Sequence, residues 1–242
     1  MQASATFPSA TAAFFGGVKS ALASAFFLVL AGTYIGMGAL AHGFGLTEWW
    51  LALSTMLVWA APAQVILISS FGGGAPLVEV ALAVSLSAIR LFPMVVALLP
   101  LLRTESTRLR DLLLPTHFTS VSMWVESLRL LPGIPREQRI AFSNGLSVGY
   151  MGTAATFGFV GYHLAAELPP LLAGALLFLT PMSFLMSTAR NAKLMMDQLA
   201  LVLGLVLGTI LTAADVQLDL MWTGIGGGTL AYFVHRLREA SV

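Results

Sequence analysis

Arg90 stands near the middle of LAVSLSAIRLFPMVVALLP, residues 82–100, a run that carries no other charge. A central arginine costs about 2.5–3.5 kcal/mol on insertion into a bilayer. A guanidinium held there can grip a carboxylate with two parallel hydrogen bonds, which an ammonium cannot do. Two structural readings stand beside that one: a side chain that snorkels to the interface, or an ion pair with Glu79. Glu79 is eleven residues earlier, about 16 Å along one helix, too far for direct pairing. Intramembrane charge is functional by default, so Arg90 is expected to face a polar cavity.

The stretch LVWAAPAQVILISSFGGGAP, residues 57–76, interrupts a second apolar run. Pro62 has no N–H and leaves the carbonyl one turn earlier without its partner. In hydrocarbon that group must be satisfied by protein or by water in a cavity. Gln64, beyond Ala63, can both donate and accept, and Gly72-Gly73-Gly74 ends the helix without side chains. The segment reads either as a helix opened to bind a ligand's polar ends or as a packed proline kink bridged by Gln64.

Weaker candidates follow. Asn144 precedes Gly145, Gly149 and Gly152, whose spacing marks a close-packing face. Asn144 therefore reads as an interhelical hydrogen bond before it reads as a ligand. Thr180, Pro181 and Ser183 in LTPMSFLMS offer a second proline break. His117, Glu126 and Glu79 are candidates for a proton pathway, with solvated loop positions the alternative for the first two. There is no Walker A stretch or H-E-x-x-H, nor is G-x-S-x-G present as a nucleophile elbow. With no cysteine and no cluster of metal ligands in the spans, the sequence points to a non-enzyme without metal or cofactor.

The elements that must position these residues are membrane helices. Only 10% of residues are charged, against roughly 25% in soluble domains, so lipid must cover much of the surface. The apolar stretches are continuous and helix-length, which excludes a β-barrel. A net charge of +1 offers nothing to nucleic acid. The expected fold is an all-α polytopic membrane protein, a single transmembrane domain over 1–242. About seven spans fall near 20–41, 49–71, 76–100, 140–162, 168–187, 194–213 and 218–235. Basic residues gather at 103–111, 131–139, 189–193 and 235–239, placing those segments in the cytoplasm. Residues 112–131 read as an interfacial or re-entrant segment of the 101–139 connection, which puts the N-terminus outside. An eighth span there, with the N-terminus inside, is the alternative. Glu48 to Pro62 and Glu167 to Pro181 share a spacing of fourteen residues. That echo fits two inverted three-helix repeats, 20–100 and 140–213, with broken helices at Pro62 and Pro181 and a last helix at 218–235. Chance placement of two prolines is the alternative.

WAAPAQVILISSFGGGAP (59–76) and SAIRLFPMVVALLP (87–100) resemble the AzlC-type branched-chain amino acid permease family, whose pattern fits from about residue 15 to 235. The resemblance implies a proton-driven exporter of branched-chain amino acids in the bacterial inner membrane. It also implies a small four-helix partner subunit of the AzlD type. Matching family positions are Pro62, Ala63, Gln64, Gly74, Ala75, Pro76 and Arg90. The chain departs from the family at PTHFTS (115–120), where an acidic step is usual, and at Leu91-Phe92, where a histidine often follows the arginine.

The expected activity is secondary transport of a zwitterionic, apolar-tailed amino acid. Arg90 would hold the carboxylate, Gln64 and the carbonyls near Pro62 the ammonium. A non-transporting membrane scaffold and a passive channel are the rivals.

Overall fold

The computed structural model describes residues 6–169, 195–214 and 219–239, with residues 171, 172, 175, 182, 185, 186, 189, 192 and 216. Every regular element among them is helical. The chain divides into two compact units, residues 1–180 and 181–242.

In the first unit, α1 (Ala10–Ala23) and α2 (Ala25–Gly43) are separated by Ser24 in an extended conformation. Its hydroxyl bonds back to the Ala21 carbonyl at 2.8 Å and meets the Tyr150 hydroxyl at 3.0 Å. Both helices pack on α9 (Arg139–Glu167). Small residues set the distance. A side chain at Gly145 would land on the Phe14 carbonyl, one at Gly149 on Ala21, and one at Gly161 on the Ile35 carbonyl. These pairs ascend together along both chains, so α1–α2 and α9 run in the same direction.

That register overturns one expectation. Inverted repeats over 20–100 and 140–213 require their first helices, 20–41 and 140–162, to oppose each other, and they are parallel. The N-terminal side changes too. Phe7 exchanges backbone hydrogen bonds with the Gln138 side chain at 3.1 and 2.7 Å, so the described N-terminal residues lie at the arginine-rich end with 131–139.

The reason is the segment expected to be the second span. It forms α3 (Glu48–Leu57) and α4 (Ala61–Gly72), which double back on each other. Trp50 and Phe71 stack with centroids 5.5 Å apart; in one continuous helix they would be about 30 Å apart. Gly72 lies against Phe44, so the hairpin leaves where it began. The break falls at 58–60 rather than at Pro62, which sits in the first turn of α4, where its missing N–H costs no helix bond. The carbonyl expected to be freed, that of Val58, accepts from Ala60 N at 2.8 Å.

A turn through Gly74, whose φ of 82° suits glycine, leads to α5 (Leu77–Ala88) and α6 (Leu91–Leu102), bent by 45°. Arg90 is therefore at a break, not within a helix. Pro93 cannot bond the Ile89 carbonyl, which accepts from Phe92 N at 3.0 Å instead. The pair descends to the arginine-rich end, where Arg139 bonds the carbonyls of Leu101 (3.0 Å) and Ile134 (2.8 Å).

Residues 109–130 fold as α7 (Leu109–His117) and α8 (Val121–Leu130). The chain before α7 and after α8 is tied to Arg139 through Leu101 and Ile134, while residues 117–118 reach the tip of the first hairpin. This is a second hairpin from the opposite end.

In the second unit, α10 (Met195–Ala213) and α11 (Asp219–Glu239) pair antiparallel, with Gly208 against Thr223 and Gly227 against Gly204. By length and apolarity alone, α2 and α10 can each cross a membrane, and α5–α6 makes a third span if counted as one. Seven such spans are not found among the described residues.

Candidate functional site

Lengths place the two hairpin tips. A ten-residue α3 is about 15 Å long and a nine-residue α7 about 14 Å. Together they match a hydrocarbon core of about 30 Å. The tips of the two hairpins are in contact. Trp59, at the first tip, stacks on Tyr34 of α2 (6.3 Å, 19°) and meets Phe118 of the second tip edge-on (5.6 Å, 76°). Tyr34, Trp59, Phe118 and Thr119 are all buried. His117 Nε2 lies 2.8 Å from the Met56 carbonyl, in the last turn of α3. An α3 carbonyl left over by the helix ladder is thereby matched by the second hairpin.

Gln64 ties the arms of the first hairpin. Its Nε2 donates to Ser54 Oγ at 3.1 Å and Thr55 Oγ1 at 2.7 Å. Both hydroxyls spend their own protons on the Leu51 carbonyl, at 2.9 and 2.8 Å. They can only accept from Gln64, which fixes the orientation of its amide. Oε1 is the atom left over, in a side chain with 0% exposure. Trp59 Nε1, in a residue 5% exposed, also lacks a partner. Each unmatched group costs about 1–3 kcal/mol. α4 starts after Ala60 with no side-chain cap; Ala60 N is taken by the Val58 carbonyl and Pro62 has no N–H, so the donors its first turn leaves over are the amides of Ala61 and Ala63. The tip thus carries a buried acceptor, a buried indole donor and an open helix start, within a few residues.

The other expected residues scatter around this point. Ala63 is buried in the first turn of α4, beside Pro62. Arg90 is exposed at the α5–α6 break, and among the described residues it makes no hydrogen bond or ion pair, to Gln64 or to any other. Glu79 sits half-buried in the first turn of α5. Glu126 is 3% exposed and bonds Arg129, with Nε to Oε2 at 3.0 Å and a second contact from Nη2 to Oε1. Asn144 is half-buried with Oδ1 unpaired, but it is fourteen residues from Gly158, the α9 residue beside Tyr34, about 21 Å along the helix. Thr180, Pro181 and Ser183 lie outside the described residues.

Sequence reasoning missed Trp59, Tyr34 and Phe118. Trp59 adjoins the AAPAQ run, and an indole two residues before a helix-opening Ala-Pro was the available signal.

A family model described as AzlC protein matches residues 25–168. The match starts with α2 and ends just after α9, enclosing both hairpins and the bent pair between them. No curated protein and no solved structure matches the chain.

Proposed function

Since the chain belongs to the AzlC family, which is associated with branched-chain amino acid transport, we propose that it is a secondary transporter of apolar-tailed amino acids that holds its solute where the two hairpin tips meet. One observation carries this reading: Trp59 and Phe118 bring together two half-depth hairpins from opposite ends. Non-helical backbone at membrane depth is tolerated where protein buries it or where it lines a cavity, and helix ends gathered at midplane suit a charged solute. Parting one hairpin opens the junction to one side; parting the other opens it to the opposite side.

Arg103, Arg108, Arg110, Arg136 and Arg139 mark the second hairpin's end as cytoplasmic. The direction is export across the bacterial inner membrane, driven by the proton gradient. His117 couples the cycle to protons: its Nε2 lies 2.8 Å from the Met56 carbonyl of the first hairpin, a contact that parting the tips would break. Arg90, exposed at its bend, receives the solute's carboxylate on the way to or from the junction. A small four-helix partner of the AzlD type completes the transporter.

Efflux of labelled leucine from liposomes tests this, with the purified protein alone and with the companion subunit. Saturable efflux that follows an imposed pH gradient is expected in at least one arrangement. No flux in either favours a scaffold, and non-saturable flux indifferent to pH favours a channel.

A further inference from the structure

Two unmatched atoms at the first tip are complementary and yet not bonded to each other: Gln64 Oε1 accepts, and Trp59 Nε1 donates. Neither can be relieved locally. The hydroxyls of Ser54 and Thr55 have no proton left for Oε1, and the rings of Tyr34 and Phe118 hold the indole from two sides. A group that satisfies both must bring a donor and an acceptor together. The uncapped first turn of α4, two residues after Trp59, adds the amides of Ala61 and Ala63 and the positive end of the helix dipole.

We propose that this tip reads both charges of a free α-amino acid: Gln64 Oε1 takes the ammonium, while Trp59 Nε1 and the first turn of α4 take the carboxylate. The inference rests on the transport site proposed above and deepens it by assigning the atoms that read the solute's two charges. The site requires both head groups unblocked, so amino acid amides, simple amines and des-amino carboxylic acids are rejected. Arg90, at the bend, is not part of this grip. Tyr34 and Phe118 flank the indole.

The test is equilibrium binding of tritiated leucine to the full-length protein in detergent, with leucinamide and 4-methylpentanoate as competitors. Wild type is expected to bind leucine and to ignore both competitors at equal concentration. Trp59→Phe keeps the ring and its stacking but deletes the N–H. It should weaken leucine binding about 10- to 100-fold, the usual range for a hydrogen bond to a charged group. It should leave leucinamide nearly unaffected, so that preference for leucine over the amide collapses while preference over 4-methylpentanoate persists. Gln64→Met should give the mirror pattern, with discrimination lost against 4-methylpentanoate.

A merely structural role would lower all three affinities in proportion, and that result overturns the proposal, as does unchanged leucine affinity in Trp59→Phe. Wild type that binds leucine selectively but shows no flux in liposomes supports this site and refutes the transport reading. Wild type that binds no leucine refutes the site.

Discussion

The parallel packing of α1–α2 on α9 can be tested by adding single methyl groups along one helix face. Gly145, Gly149 and Gly152 lie on α9 within two turns of each other but meet different surroundings. A Cβ at Gly145 would overlap the Phe14 carbonyl deeply, with backbone on both sides, so α1 must move as a whole. At Gly149 the nearest atom, 2.7 Å away, is the Cβ of Ala21, with Val18 backbone beyond 3 Å. At Gly152 there is nothing within 4 Å. Overpacking costs about 1–3 kcal/mol, while alanine gains about 1 kcal/mol over glycine in a helix interior. Gly145→Ala should therefore be destabilising by about 2 kcal/mol or more and Gly149→Ala by about 1 kcal/mol, with Gly152→Ala neutral or stabilising. Thermal unfolding of the detergent-purified protein reads the order. At about 2–4 °C per kcal/mol for a chain of this size, Gly145→Ala should melt at least about 4 °C below wild type. If it melts with Gly152→Ala, the close contact between α1 and α9 is wrong, and the parallel register loses its support.

Three further outcomes follow from the site. His117→Gln keeps a donor for the Met56 carbonyl but removes the imidazole, so down-gradient leucine flux should persist while pH-driven accumulation in vesicles is lost. Glu126→Gln breaks a pair whose arginine is largely solvated; it should lower stability by about 1 kcal/mol and leave pH-driven flux intact. Arg90→Ala should cut liposome flux at least tenfold without moving the melting temperature, with Arg90→Lys recovering part of it, since one ammonium lacks the two-pronged grip.

How much the sequence disclosed depended on range. Composition and apolar runs led directly to a helical membrane protein, and the segments at 194–213 and 218–235 match α10 and α11. A break in the 49–71 run was legible from its local composition, although it falls at 58–60 and Pro62 only opens the helix after it; the glycine face of α9 was legible because its spacing is local too. What hydropathy could not separate is a helix that crosses from two half-length helices that return. Residues 48–72 have the apolarity and length of a span, and only the meeting of Trp50 with Phe71 and of Gln64 with Ser54 reveals the reversal. The same limit hid the placement of Arg90. Its apolar run looked continuous, and the role of Pro93 in stopping α5 shows only in the rerouted Ile89 carbonyl. Trp59 went unnoticed because an indole in an apolar run looks like ordinary packing until its N–H is found unmatched.

The central claim is that residues 48–72 enter and leave by the same side. Because the chain contains no cysteine, three single substitutions at exposed positions, Thr47→Cys, Pro76→Cys and Ser106→Cys, can be labelled with a membrane-impermeant maleimide in oriented vesicles. Residues 47 and 76 should react from one side and 106 from the other. Reaction of 47 and 76 from opposite sides would make the first hairpin a span and remove the meeting of tips on which the transport site is built.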